Sequence, residues 1–348
     1  MKITIYTIAD KRPDFITVQH ESLKKFLKDD YELVVLNNAL DSKSRREEIS
    51  TICKNLDIRC IEVKKDLRFM VIGKQKVFTW LGSYKNANVA CAYPIKWAWE
   101  MMCEENKGGL FAVMDSDMFL CRPISLADEV GEQDASFIIQ YRGLEDGRKK
   151  ASVTYIWNAF CIFNPEKIPN IKDMNWDCGI IKKSFINGHT VDVGGYIHPW
   201  LQQNNISFKH ISEYALHKFE ALENGRFYLE ATLNGNYHFS FEYDPRNKIT
   251  SNYKCYEGGW QQGDMILPHF PTDYESVLKQ KIIGYFETYI LDKQSYPSPT
   301  FIGFLEFEDM GTENKPFIIH SKAGSGYMGF GAEYGKLKLD FIKKTLDI

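Results

Sequence analysis

No apolar run in the 348-residue chain approaches the ~18–20 residues that a membrane helix requires, so no span is predicted. The N-terminal Met1-Lys2-Ile3-Thr4-Ile5-Tyr6 alternates as a strand does and carries neither the apolar core nor the cleavage site of a secretory signal. No Cys-x-x-Cys pair occurs among the eight cysteines, Cys53, Cys60, Cys91, Cys103, Cys121, Cys161, Cys178 and Cys255. Most sit beside apolar residues, which reads as buried free thiols in a reducing cytoplasm and against a zinc site. There is no basic excess, because 43 Lys and Arg face 46 Asp and Glu, and dedicated nucleic-acid binding is thereby disfavoured. Proline (12) and glycine (24) are too sparse, and hydrophobic residues at 44% too abundant, for a disordered or collagen-like chain. A Ser-His-Asp order, a Walker loop, an HExxH helix, an internal repeat and a Ser/Pro linker are all absent.

The pattern that remains is that of a folded α/β chain. Lys2 to Ile8 reads as a buried strand, and Pro13 opens a helix whose apolar face carries Phe15, Leu23, Phe26 and Leu27. Tyr31 to Leu36 is a second strand. Asp41 or Ser42 is suited to cap a helix over Arg45 to Asn55, and Ile58 to Val63 is a third strand. A helix is predicted over Tyr93 to Glu105, with Pro94 in its first turn and Gly108-Gly109 beyond its end. Leu110 to Met114 is a fully apolar fourth strand. This alternation implies a parallel sheet with right-handed crossovers. Further on, Ser136 to Tyr141 and Tyr155 to Phe163 read as strands of a mixed sheet, and Val191 to Gln203 as a helix. Residues 220–275 read as short strands and loops, and Tyr334 to Leu346 as a closing amphipathic helix.

The fourth strand runs directly into Asp115-Ser116-Asp117. Residues i and i+2 of an extended chain point the same way, so both carboxylates are expected to converge at the carboxyl end of the strand. That edge is where ligands bind in open α/β sheets. Paired hard oxygen donors favour Mg²⁺ or Mn²⁺; the alternative is an exposed acidic turn. Asn158, within an apolar strand, needs a hydrogen-bond partner if buried, either a substrate or a neighbouring loop. Asp192, before Gly194-Gly195, is either a turn former or a substrate contact.

Four segments together resemble the GT-A glycosyltransferases. They are Leu110–Pro123 with Asp115 and Asp117, Trp157–Pro165 with Asn158, Asp192–Gly195, and Phe317–Gly324 with His320 and Lys322. Phe160 stands where glycogenin-like members have glycine, and no Lys-Pro-Trp follows His320, so the likeness is to the class and not to that subgroup. The resemblance implies a GT-A-like α/β fold in one compact body. A Rossmann-like nucleotide-sugar half, residues 1–123, would be fused to a mixed-sheet acceptor half, residues 124–348. It implies a metal-dependent transferase moving a sugar from a nucleotide-diphosphate donor, expected to be a UDP-sugar, to a glycan or other hydroxyl acceptor. Asp115, Asp117 and His320 would hold Mn²⁺ or Mg²⁺. Thr7, Ala9, Asp10, Asn37, Asn86, Ser116 and Asn158 would contact the donor. Lys322 and the glycine-rich run from Gly324 would neutralise the departing diphosphate, and Asp192 would serve as base if the enzyme inverts. Tyr237–Phe241 and Glu257–Asp264 are candidates for the acceptor side. A non-catalytic carbohydrate-binding protein and a sugar-nucleotide nucleotidyltransferase are the alternatives. The second normally carries a glycine-rich basic loop after the first strand, and Thr7–Arg12 has no glycine.

Overall fold

The computed structural model describes residues 2–66, 71–72, 75–76, 87–146, 149–176, 180–183, 186–190, 193–233, 237–257, 279–280, 283–284, 287, 308–312, 315–321 and 332–348. The chain divides into two compact units, one of residues 1–139 and 154–210, the other of residues 140–153 and 211–348. The expected boundary at Pro123 lies inside the first unit. No helix among the described residues is long and apolar enough to cross a membrane.

The first unit contains β1 (Ile3–Ala9), α1 (Asp14–Phe26), β2 (Tyr31–Asn37), α2 (Lys43–Asn55), β3 (Arg59–Glu62), the short pair β4 (Val71–Ile72) and β5 (Gln75–Lys76), and α3 (Ala87–Glu105). There follow β6 (Leu110–Asp115), β7 (Met118–Leu120), α4 (Leu126–Val130), the proximal part of β8 (Ala135–Asp146), most of β9 (Lys149–Phe163), the pair β10 (Ile180–Lys183) and β11 (Ile186–Thr190), and α5 (Ile197–Gln203). Its sheet has the order β9-β6-β1-β2-β3. β1, β2, β3 and β6 are parallel, and β9 runs antiparallel to β6. β1 and β6 are mostly apolar and buried along most of their length, as parallel strands covered by helices must be.

Local chemistry sets the helix ends. Pro13 precedes the first turn of α1, Asp14 sits at its positive end, and Lys24 and Lys25 sit at its negative end. Ser42 caps α2 by accepting from the Arg45 N–H at 3.3 Å. Asp57 ends that helix in the left-handed region at φ 56°. There the Asp57 N–H donates to Lys54 O and the Ile58 N–H to Cys53 O at 2.8 Å, a Schellman arrangement.

α3 begins six residues before the expected Tyr93, with Pro94 in its interior. Proline removes one intrahelical bond. Burial of Tyr93, Ile95, Ala98, Trp99 and Met102 offsets that loss. Trp99 packs edge-on against Phe111, Phe163 and Trp176, and its indole N–H donates to Ile171 O at 2.9 Å. This aromatic cluster covers the face of β6 to which Asp115 belongs.

The second unit contains β12 (Phe208–Ala221, from Ile211 onward), β13 (Phe227–Leu233), β14 (Tyr237–Asp244), β15 (Ile249–Glu257), β16 (Glu308–Thr312), β17 (Lys315–His320) and α6 (Ala332–Leu346). β12 to β15 form an antiparallel meander. β16 pairs with Ser212–Tyr214 of β12, and β17 pairs with β16. Over the described part of 220–275 the strands are longer and more regular than expected. Alternate burial of Phe239, Phe241 and Tyr243 gives β14 a core face that its polar neighbours obscure in the sequence.

Candidate functional site

From β1 the chain moves outward through β2 to β3, then returns to the other side of β1 as β6. The strand order therefore reverses between β1 and β6. Beyond the carboxyl ends of two such strands lies a crevice lined by loops that leave in opposite directions. Ile8 is in register with Asp115. Just past that pair, one strand continues into Ala9 and Asp10 and the other into Ser116 and Asp117.

β6 ends at Asp115, and Ser116 and Asp117 form the tight turn into β7. The two carboxylates are thus carried by a turn rather than by one strand face, which corrects the period-two expectation. Met118, Phe119 and Leu120, immediately after the turn, are buried. Asp115, Ser116 and Asp117 remain part-exposed.

The turn is held from α1. The buried Gln19 donates through Nε2 to Asp115 O at 2.8 Å and to Met118 O at 3.1 Å, bridging the turn. Ser22, one helical turn on, donates to Gln19 O at 2.7 Å and accepts from the Leu120 N–H at 3.3 Å. Sequence reasoning missed both residues. Their signal was two uncharged polar side chains among Phe15, Ile16, Val18 and Leu23 on the buried face of an amphipathic helix. The charge of Asp115 is felt at the fully buried Cys161. Burial first, and that carboxylate second, push the Cys161 thiol well above its ordinary value.

On the opposite face of the sheet from Asp115, Thr7 is fully buried in register with Val35 and Met114, and its Oγ1 has no hydrogen-bond partner. Met114 lies opposite Phe160, so Asn158, two residues from Phe160, belongs to the same sheet face as Thr7. Asn158 is 2% exposed, and its Nδ2 also has no partner. Buried polar groups left this way are uncommon in a resting core and are often completed by a ligand or water. Gly194, at φ 84°, brings the 193–195 turn against the same strand; a Cβ there would lie 2.2 Å from Ile156 O.

Asp10 is partly desolvated. Its carboxylate faces the Arg45 guanidinium at 3.7 Å, which itself pairs with Asp41 at 2.7 Å. Burial raises its pKa above the ordinary carboxylate value, Arg45 works against the rise, and Asp41 adds to it.

Asn37 has an internal task. Its Nδ2 donates to Arg46 O at 2.9 Å and to Ser50 Oγ at 3.2 Å, and its Oδ1 accepts from the Ala39 N–H. Ala9 O accepts from the Asn38 N–H at 2.8 Å. Both residues lie on the site's rim and shape the exit of β2. Thr7, Ala9, Asp10, Asp115, Ser116, Asp117 and Asn158 are therefore gathered in the first unit. His320 is the last residue of β17 in the second unit, 6% exposed and in register with Glu308. Asn86, Asp192, Lys322, Gly324 and residues 258–264 of the expected acceptor side lie outside the described residues, whereas Tyr237–Phe241 belongs to β14. Among the described residues no three His, Cys, Asp or Glu side chains group as metal ligands. Asp115 and Asp117 are the carboxylates of this turn that could hold Mg²⁺ or Mn²⁺, hard cations often bound by one or two carboxylates with water and substrate phosphates completing the shell.

No family model and no curated protein matches the chain. Among solved structures, the galactosyltransferase LgtC in complex with donor and acceptor sugar analogues aligns at a TM-score of 0.31 and 14% identity, over 59% of this chain and 65% of that one. The glycosyltransferase GlyE of Streptococcus pneumoniae aligns at 0.29 and 12% identity, over 60% and 45%. Residues 1–349 of TarS of S. aureus align at 0.27 and 16% identity, over 56% and 58%. The aligned part spans less than two thirds of each of these chains. Similarity this slight carries no function with it.

Proposed function

We propose that this chain is a glycosyltransferase that takes a sugar from a nucleotide-diphosphate donor, with UDP-sugars as the first candidates. The observation that carries the reading is the acidic turn at the β1/β6 switch point, pinned through its backbone by Gln19, with the unpartnered Thr7 Oγ1 and Asn158 Nδ2 on the strands adjacent to β6. Asp115 and Asp117 would hold a Mn²⁺ or Mg²⁺, which when bound supplies positive charge against diphosphate oxygens. Gln19 donates to the main-chain carbonyls of Asp115 and Met118, so it fixes the turn through its backbone. Thr7 and Asn158 would hydrogen-bond the donor and so orient it, and the buried strands behind them keep water from that side. A hydroxyl of a glycan or another alcohol would be the acceptor.

The test is release of UDP from a panel of UDP-sugars by the full chain with Mn²⁺, with and without EDTA. Release that EDTA abolishes and Mn²⁺ or Mg²⁺ restores, and that Asp115→Asn with Asp117→Asn removes, supports the reading. Thermal stabilisation by a free sugar with no effect of Mn²⁺ and no UDP release would favour a carbohydrate-binding protein. Pyrophosphate release from UTP and a sugar phosphate would favour a nucleotidyltransferase.

A further inference from the structure

The chain leaving β1 is fastened at three points in quick succession. Ala9 O accepts from the Asn38 N–H at 2.8 Å, the Asp10 carboxylate faces Arg45 of α2 at 3.7 Å, and Arg12 is tied to the first turn of α1. Asp14 holds the Arg12 guanidinium by a two-point fork, accepting from Nε at 2.8 Å and from Nη2 at 2.6 Å. So oriented, the guanidinium carbon lies 4.1 Å from the centroid of the Phe15 ring. Phe15 is buried and meets the buried Phe119 edge-on, with ring centroids 5.6 Å apart. Phe119 stands two residues beyond Asp117, on the strand that leaves the acidic turn. Gln19, four residues after Phe15 and on the same face of α1, bridges the turn itself. Both lips of the crevice, the exit loop of β1 and the acidic turn, are thereby mounted on one helix.

We propose that Arg12 is a positioning residue that, through Phe15 and Phe119, holds the exit loop of β1 and the acidic turn at the separation that one nucleoside diphosphate spans. The inference rests on the glycosyl-transfer reading, in which the nucleoside lies against the loop and the diphosphate reaches the cation at Asp115 and Asp117. A ligand that engages two places binds the second as an intramolecular event, and the gain is greatest when its length matches a fixed separation. With loop and turn mounted on α1, that separation is set when the protein folds. Without the mounting, the ligand must order the loop itself, and part of its binding free energy is lost. The role requires arginine and not merely a cation. Lysine keeps the charge but makes no two-point fork to Asp14 and has no flat face to lay on Phe15.

The test measures Mn²⁺ binding to the full chain by electron paramagnetic resonance of the free ion, with Mn²⁺ alone, with uridine and with UDP. In the parent, UDP should tighten Mn²⁺ binding at least ~10-fold, and uridine, which has no diphosphate, less than about 2-fold. Arg12→Lys and Arg12→Met should each leave the binding of Mn²⁺ alone, and of uridine alone by calorimetry, within about 2-fold of the parent, while cutting the tightening by UDP roughly 5-fold or more. By linkage, the tightening of UDP by Mn²⁺ should fall by the same factor. Asp14→Asn, which weakens the fork and leaves Arg12 in place, should act in the same direction. A residue that merely stabilised the fold would lower all three affinities together. The proposal fails if both Arg12 variants keep the parent's tightening, or if the separate affinities for Mn²⁺ and uridine fall as far as the affinity for the pair. It fails equally if Arg12→Lys keeps the tightening that Arg12→Met loses, because Arg12 then acts by its charge on the diphosphate. A parent chain that binds Mn²⁺ neither alone nor with UDP would overturn the glycosyl-transfer reading and this inference with it.

Discussion

Replacing Gln19 by methionine keeps the length and volume of the side chain and removes both donated hydrogen bonds. Met118 O is buried and would lose its bond from Nε2 with no water to replace it, whereas Asp115 O is part-buried and recovers some hydration. A buried acceptor left without a partner costs about 1–3 kcal/mol. The substitution also removes Gln19 Oε1, which has no partner in the folded protein, and that returns part of the loss. The net expectation for Gln19→Met is a destabilisation of about 1–3 kcal/mol, seen as a fall of roughly 0.3–1 M in the urea midpoint. The variant Gln19→Glu is the more telling control. A carboxylate only accepts, so at neutral pH it faces two carbonyl oxygens with no proton to offer and should be less stable than Gln19→Met. Trp99 and Trp176, in the same unit, give a fluorescence readout of the unfolding. Because the backbone bridge sets the turn that carries Asp115 and Asp117, Gln19→Met should also raise the Mn²⁺ concentration that half-activates UDP release by about 10-fold or more. An unchanged midpoint together with an unchanged Mn²⁺ requirement would refute the role assigned to Gln19. A lower midpoint with unchanged Mn²⁺ dependence would leave it a structural residue only.

Asp115→Asn combined with Asp117→Asn should remove transfer while leaving the urea midpoint unchanged or slightly higher, since both side chains are part-exposed and one charge repulsion is lost; a misfolded variant by circular dichroism would contradict this. The folded protein holds the Asp10 proton more tightly than the unfolded chain does, so Asp10 contributes stability at low pH that is lost as pH rises through its folded pKa. The melting temperature of Asp10→Asn should therefore gain on that of the parent as pH rises from below 3.8 toward neutrality, and a constant difference across that range would show that Asp10 is not desolvated. Gly194→Ala places a Cβ 2.2 Å from Ile156 O at a φ that alanine disfavours. It should cost about 2 kcal/mol or more in unfolding free energy, measured by denaturant titration, and lower the affinity for donor by moving the turn beside Asn158.

Much of the first unit was legible because its elements are locally consistent. The strand over Ile3–Ala9 is an apolar run, the helix after Pro13 has an apolar stripe and charges suited to its dipole, and Ser42 is a cap by chemistry alone. The early start of α3 was not legible. Pro94 signals a boundary locally, and only burial of its neighbours against the sheet overrules it. The regular strands of the second unit were obscured for a related reason, because a meander of aromatic and polar residues acquires its alternation when its strands pair.

The candidate site divides along the same line. That Asp115 and Asp117 end an apolar strand, and that hard oxygen donors suit a divalent cation, follow from residue types and their order along the chain. Their relation to everything else is a matter of distance, and distance between remote segments has no local signature. Gln19 lies 96 residues before Asp115, and nothing near it indicates that its amide bridges the acidic turn. Asn37 reads as a rim residue by position, yet its amide is engaged by Arg46 and Ser50. Composition likewise predicted buried free thiols, yet Cys60 and Cys91 are part-exposed while Cys53, Cys103, Cys121 and Cys161 are buried. Periodicity and capping are short-range and can be read from neighbours. Which polar atoms meet, and which are left without partners, is decided only when the whole chain has closed around them.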